Sequence, residues 1–343
     1  MSIYISDCTI RDGGYLLDKN SDPTFVKEII NGLVKSGIEY IETGFLQDNI
    51  GDETIVYSNS KDVRKFLPLE NGRSEFVGFC DNSRYSIENL DDCDGKSFKS
   101  LRISFAKHES KAALEFCAAA KDKGYHVFVQ PMDAIGYTFE EREKIINKVN
   151  KFQPEALAIV DTFGAMYMEE LETIFKQMDK LLNKNIKIGL HTHNNLQLSC
   201  ALAEKLICLA IETDRNVVID SSLFGMGRGA GNAHTEIIAD YINKHIGKKY
   251  DIQALLEIIR QYIIPLKEKV HWGYDISMFI CGTEGAHVDN IEYLKKNTLY
   301  NYEDMYNIID SMDLAERKRY GANYSKTDFT VLERACNRYI RKQ

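Results

Sequence analysis

The sequence predicts an α/β fold, a (β/α)8 TIM barrel with a C-terminal helical extension. Three observations predict it. Eight short apolar, β-branched runs recur along roughly the first 245 residues. Helical patterns lie between them, and the strand starts fall about 31 residues apart, the size of one strand–helix unit. A glycine-rich turn follows the eighth run, whereas a doubly wound open sheet places such a turn after its first strand.

The runs read as strands at Ile3–Ile10, Tyr40–Thr43, Glu75–Cys80, Ser100–Phe105, His126–Pro131, Ala156–Val160, Lys187–His191 and Val217–Ser221. Between them, Asp22-Pro23 opens a helix that stops at Gly37, and another runs from Ser110 to Lys123 and stops at Gly124. Thr138-Phe139-Glu140-Glu141 opens a third with the pattern of a capping box. From about Tyr250 the strand signal disappears, and Ile252, Leu255, Leu256, Ile259, Tyr262 and Ile263 follow helical spacing. Gly273, Gly282 and Gly285 mark loops, while Asn301–Met312 and Thr327–Ile340 read as further helices. Residues 1–248 are thus expected to form a catalytic barrel, and 249–343 a helical domain packed on it or on a second subunit. Barrels with such tails favour homo-oligomers.

Composition narrows the function class. The formal net charge of −8 lacks the basic stripe of a nucleic-acid binder or of a protein drawn to anionic membranes. No apolar run approaches about 18 residues, and the N-terminus lacks a basic segment followed by an apolar one, so neither a membrane span nor a secretory signal is expected. Eight cysteines without a CxxC pair exclude a zinc ribbon or disulfide scaffold and fit a reducing cytoplasm.

In parallel α/β folds ligands gather at the carboxyl ends of the strands. The first strand delivers Arg11-Asp12-Gly13-Gly14-Tyr15, the seventh His191-Thr192-His193-Asn194, and the eighth leads into the loop Gly225–Asn232. His191 and His193, two residues apart on a strand, project from one face. An HxH pair alone is weak, but barrel closure brings Asp12 close to it. One carboxylate, two imidazoles and an amide oxygen from Asn232 form a set that suits Mg²⁺ or Mn²⁺ better than a structural zinc. The bland alternative is that Asp12 only pairs with a neighbouring arginine. Arg11 would stand beside the metal, where a fixed guanidinium stabilises a developing oxyanion, with Glu42 as its holder. A purely structural Arg11–Glu42 pair is compatible with that role. The glycine-rich loop fails the GxGxxG spacing; it can offer backbone N–H groups and Arg228 to a substrate anion, or serve as a packing turn. Arg102, Gln130, Asp161 and Thr162, on or at the ends of the middle strands, are expected to face the same site, with Asp161 a catalytic candidate.

The string Asp7-Cys8-Thr9-Ile10-Arg11-Asp12-Gly13-Gly14-Tyr15, the element His191-Thr192-His193-Asn194 and the turn Gly229-Ala230-Gly231-Asn232 together resemble the DRE-TIM metallolyase superfamily over residues 1–245 or so. That group includes 3-hydroxy-3-methylglutaryl-CoA lyase, isopropylmalate and homocitrate synthases, 4-hydroxy-2-oxovalerate aldolase and the carboxyltransferase domain of pyruvate carboxylase. The resemblance implies a divalent metal on Asp12, His191, His193 and, in some members, Asn232, with Arg11 stabilising an enolate. Within the superfamily the chain looks most like the 4-hydroxy-2-oxovalerate aldolase group, which implies a 2-oxo acid substrate and in some members an aldehyde dehydrogenase docked on the C-terminal helices.

Two positions depart from the pattern. Where the aldolase group carries a histidine base, this chain has Tyr15, whose ordinary pKa near 10 makes it a poorer base. The cysteine that lyases use before the glycine–asparagine turn is missing from Leu223 to Gly231. No biotin-carrier or ATP-binding segment accompanies the barrel. Tyr274 and His287 are weaker candidates from the tail, and Trp272, Tyr274 and Phe279 could equally fill its core. A metal-dependent aldolase acting on a 4-hydroxy-2-oxo acid is therefore expected. A Claisen-type acyl-CoA-dependent synthase, an HMG-CoA lyase-like enzyme and a degenerate, non-enzymatic barrel are the rivals.

Overall fold

The computed structural model describes residues 1–17, 21–50, 53–296, 300–318 and 330–341. Nine parallel strands are present among them: β1 Ile3–Asp7, β2 Tyr40–Leu46, β3 Val56–Tyr57, β4 Glu75–Asp81, β5 Ser100–Phe105, β6 His126–Pro131, β7 Ala156–Asp161, β8 Lys187–Thr192 and β9 Val217–Ser221. Their order is β1-β9-β8-β7-β6-β5-β4-β2-β3, and β1 also pairs with β2, so eight strands close a barrel and β3 lies outside it against β2. At the closure Asp7 lies level with Ser221 of β9 on one side and Ile41 of β2 on the other. This is the TIM barrel expected, with its core formed by the strands and the helices around them.

Six of the eight barrel strands are followed by a full helix: α1 Pro23–Ser36, α2 Ser110–Asp122, α3 Phe139–Phe152, α4 Met168–Leu181, α5 Ser199–Thr213 and α6 Thr235–His245. The other two depart from strict alternation. Between β2 and β4 the chain forms β3 and a 3-10 segment, Ser60–Phe66, and between β4 and β5 only the 3-10 turn Ile87–Asn89. The helix boundaries follow local chemistry. Asp22 caps α1 through the Thr24 amide at 2.8 Å, Pro23 sits where no N–H is needed, and Gly37 ends the helix at φ +80°. The capping box at Thr138 and Glu141 is formed as expected.

The first strand is shorter than expected and stops at Asp7, not Ile10. The Asp7 carboxylate accepts the Thr9 amide at 2.9 Å, and the Cys8 carbonyl accepts the Asp12 amide at 2.7 Å, which turns the chain. Asp12 therefore sits in a turn beyond the strand. The second strand runs on to Leu46 past a register shift between Glu42 and Phe45. There Gly44, at φ +142°, packs so tightly that a Cβ would lie 2.3 Å from the Ile55 carbonyl oxygen.

Beyond the barrel, α7 (Ile252–Ile258), a π turn (Ile259–Ile263) and α8 (Ile264–Lys267) join the barrel core through Leu255, Ile258, Ile259 and Ile263. Pro265, which has no N–H to donate, follows the π turn. A second hydrophobic cluster is built by α9 (Ile276–Thr283), α10 (Val288–Lys296), α11 (Tyr302–Asp310) and α13 (Thr330–Ile340), with α12 (Leu314–Lys318) alongside; it takes in Ala230 from the glycine-rich loop. Residues 327–329 of the expected last helix lie outside the described residues. Gly282 belongs to α9, not to a loop: a Cβ there would lie 2.8 Å from Leu196, so glycine serves a close approach of helix to barrel. Trp272 is buried and donates to the Phe224 carbonyl, while Tyr274 and Phe279 are largely exposed. Among the described residues no helix is long and apolar enough to cross a membrane.

Candidate functional site

A cavity of about 1190 Å³ opens at the carboxyl ends of the strands. At its floor one oxygen of Asp12 and one nitrogen each of His191 and His193 all lie within 4.8 Å of one another. His191 is in β8 and His193 just past it, bridged to Asn232 across the mouth. The rings stand edge to face, 5.0 Å apart. His191 Nδ1 lies 3.0 Å from Asp220 Oδ2, and His193 Nδ1 lies 3.1 Å from the Asp161 carbonyl oxygen. His193 is thus oriented through Nδ1, which leaves its Nε2 for a cation, while the Asp220 carboxylate stands beside the buried Nδ1 of His191.

Asn232 supplies the test of fit for a metal. Its amide nitrogen donates to Asp12 Oδ2 at 2.7 Å and to the Met226 carbonyl at 3.1 Å, which fixes the orientation of the amide. Its Oδ1 is buried without a hydrogen-bond partner. A buried orphan acceptor beside a carboxylate and two imidazoles is what an oxygen-seeking dication requires and what a closed structural site would not leave. Gly227 belongs to the same cradle, since a Cβ would lie 2.7 Å from Asp12 Oδ2.

The charges around this floor interlock. Arg11 donates to Asp12 Oδ1 at 2.8 Å and to Glu42 Oε2 at 2.5 Å, with its guanidinium 4.3 Å from the Phe79 ring centre. Glu42 also accepts from Arg102, which reaches Asp220 and, at 3.0 Å, Ser6 Oγ. Asp220 faces His191, so one buried chain of alternating charge runs from Arg11 to the imidazole. Burial opposes ionisation of Asp12, but Arg11 and the imidazoles outweigh it and hold the carboxyl well below its usual range. Burial pushes His191 below its ordinary value; for His193, burial is outweighed by Asp12, and its pKa is raised.

The residues singled out in the sequence separate into three groups. Asp12, His191, His193, Asn232, Arg11 and Glu42 come together as described. Tyr15, Gln130, Thr162 and Arg228 line the cavity. Tyr15 stands at the rim, 46% exposed, with its ring against Phe45 and under the Arg228 guanidinium; its low-dielectric surroundings raise the phenol pKa. Thr162 Oγ1 accepts the Asp133 amide, and Arg228 pairs with Asp289 of the C-terminal lobe. Arg102 and Asp161 do not line the cavity. The two terminal nitrogens of Arg102 are engaged by Glu42, Ser6 and Asp220. The Asp161 carboxylate turns back to accept the Ala165 and Met166 amides, and burial raises its pKa to about 6.

Sequence reading gave Asp220 no role and left His287 of the tail undecided. His287, at the start of the C-terminal lobe, lines the cavity edge-on to Phe163. Its Nδ1 accepts the Asp289 amide, so the proton of the neutral ring is on Nε2, and burial lowers its pKa to about 3. Cys281 also lines the cavity, but burial pushes its thiol to about 12 and it donates to the Ala286 carbonyl, which leaves it unreactive as a thiolate. Tyr274 is not among the lining residues. The HxH spacing and the strand-end acid carried the strongest readable signal; His287 was a weaker candidate, with no spacing or motif to single it out.

Comparison with known proteins agrees with this geometry. Residues 96–261 match the HMGL-like family model. The 4-hydroxy-2-oxovalerate aldolase of Bacillus thuringiensis is 24% identical over 275 residues, covering 77% of this chain and 76% of that protein. The family-model match and the aldolase relatives support placing the chain with the HMGL-like, or DRE-TIM metallolyase, superfamily. A homocitrate synthase of Pyrococcus horikoshii is 26% identical over 275 residues, covering 75% of this chain and 70% of that protein. The fold is shared with the crystal structure of the N-terminal domain of a provisionally named aldolase from Bacteroides vulgatus, at a TM-score of 0.76 and 23% identity, covering 91% of this chain and all of that one. DRE-TIM metallolyases use a divalent metal, and the Asp12–His191–His193 cluster is a site able to hold one.

Proposed function

We propose that this protein is a carbon–carbon lyase, a divalent-metal-dependent aldolase that cleaves or forms a 4-hydroxy-2-oxo acid through a pyruvate enolate. The observation that carries the reading is the conjunction at the cavity floor: an oxygen-rich ligand set with an orphan amide oxygen, and a guanidinium clamped beside it. Mn²⁺ or Mg²⁺ held by Asp12, His191, His193 and Asn232 would supply a Lewis acid that polarises the 2-oxo acid.

The protein's own groups do the rest. Asp12 stays ionised because Arg11 lies against it. Arg11, clamped by Glu42 and Asp12 and stacked on Phe79, keeps a positive charge where the enolate oxygen develops, at no cost in reorganisation during the reaction. In the cleavage direction the C4 hydroxyl gives its proton to a water of the open cavity, the C3–C4 bond breaks, and its electron pair passes into the enolate as the aldehyde leaves. A proton then adds to C3 to give pyruvate. Tyr15, whose phenol is protonated at neutral pH, is the group we assign to deliver it from the rim.

A Claisen synthase would use the same floor with acetyl-CoA, and the homocitrate synthase relative keeps it in view. Incubating the Mn²⁺- and Mg²⁺-loaded protein with 4-hydroxy-2-oxo acids should release pyruvate. Thiol release from acetyl-CoA with a 2-oxo acid, and no pyruvate from any 4-hydroxy-2-oxo acid, would replace the aldolase by the synthase.

A further inference from the structure

The cavity is larger than a short acid needs; about 1190 Å³ exceeds the roughly 300–1,000 Å³ of sites for drug-sized ligands. Much of its lining comes from one arc of the rim. The metal-ligand set comes from the segments after β1 and β9 and from β8, whereas the neighbouring strands β2, β4, β5 and β6 carry a different lining. Each contributes an uncharged polar side chain at its carboxyl end: Gln47, Asn82, Ser104 and Gln130. None of these four makes a side-chain hydrogen bond to another described residue. Gln130 is 4% exposed, with its Nε2 buried and unpartnered, and Ser104 is 6% exposed. A buried amide such as that of Gln130 is left unpaired only at a cost in stability, which a bound ligand's hydroxyl would remove.

The charges beside the arc define what that ligand is not. Asp48 and Asp81 stand there against one guanidinium, Arg84. Asp48 accepts the Ser86 amide at 2.9 Å and Asp81 the Ser83 amide, so both are held in place. Two fixed carboxylates disfavour a phosphate or carboxylate tail. Neutral hydroxyls are the groups that amide and serine side chains satisfy in both donor and acceptor senses.

We propose that the aldehyde half of the substrate is a neutral polyhydroxylated chain, as in a sugar-derived 2-oxo acid, whose hydroxyls are bound by Gln47, Asn82, Ser104 and Gln130. The position of the broken bond rests on the aldolase reading above; recognition of the polyol does not. The test compares two 2-hydroxy acids with the same chelating head, D-gluconate and 2-hydroxyhexanoate, by calorimetric titration of the full-length Mn²⁺-loaded protein. Gluconate should bind at least about tenfold more tightly, and Asn82→Leu and Gln130→Leu should each bring the two affinities closer together. Equal affinities, preference for the alkyl acid, absence of gluconate binding, or a preference unmoved by either variant would overturn the proposal. Enolate formation is read separately, as exchange of pyruvate methyl protons in D₂O. Lost exchange with an intact gluconate preference would sink the aldolase reading and leave the polyol arc standing; exchange without the preference would do the reverse.

Discussion

Replacing Glu42 by glutamine isolates the clamp on Arg11. Glu42 is fully buried and accepts from both Arg11, at 2.5 Å, and Arg102. Glutamine has the same shape, but one of its terminal atoms becomes an N–H donor facing a guanidinium donor. Breaking a buried ion pair from one side costs roughly 3–5 kcal/mol. Arg11 keeps Asp12 and Arg102 keeps Asp220, so the lower end applies, about 3 kcal/mol, or a factor of about 100 in the folding equilibrium. Arg11, no longer pinned from two sides, should also lose much of its hold on the enolate, lowering kcat about 100-fold with little change in KM. Urea unfolding and pyruvate release from the 4-hydroxy-2-oxo acid that the wild type turns over are the two measurements. A variant within about 0.5 kcal/mol of wild type and fully active would refute the clamp, because surface-like substitutions behave that way and buried pairs do not.

Three further outcomes are expected. Asp12→Asn should abolish retention of Mn²⁺ after dialysis, measured as metal content, whereas Asp220→Asn, which only loosens the orientation of His191, should weaken Mn²⁺ binding about 10–100-fold. Asp7, whose carboxyl burial raises to about 6, favours the protonated form when folded; stability is undiminished below the unfolded value near 3.8 and falls as pH rises to about 6, by up to about 3 kcal/mol. Asp7→Asn should flatten that part of the stability–pH curve in thermal melts, and an unchanged slope would count against it. Gly32→Ala places a methyl 2.1 Å from Ile258 Cγ2 where α1 meets α7, and should cost about 1–3 kcal/mol, partly restored by Ile258→Ala, which removes Cγ2.

The barrel was legible because parallel strands buried on both faces must be spelled in apolar, β-branched runs, and all eight runs became barrel strands. The metal cluster was legible for a related reason: a closed barrel forces strand ends together, so Asp12, His191 and His193 had to be near neighbours. Where a side chain bonds its own backbone, that logic fails. Asp7 ended its strand early through the Thr9 amide, and Asp161 turned to the Ala165 and Met166 amides and away from the cavity. Arg102 and Asp220 read as ordinary strand-end polar residues, since their pairing across the barrel interior depends on register and on Glu42. His287 reaches the cavity only through the packing of the tail, which no local pattern encodes.

The two connections that lack helices, after β2 and β4, also furnish Gln47, Asp48, Asn82 and Arg84 at the cavity. These segments anchor themselves in the core through Val63, Phe66, Tyr85 and Leu90, so with those buried positions kept, their rim residues can vary while the reactive floor stays intact. A fold arranged in this way separates the evolution of what is recognised from the evolution of how it is broken, and chimeras that exchange only those two segments between related barrels are the natural route to redirecting one without rebuilding the other.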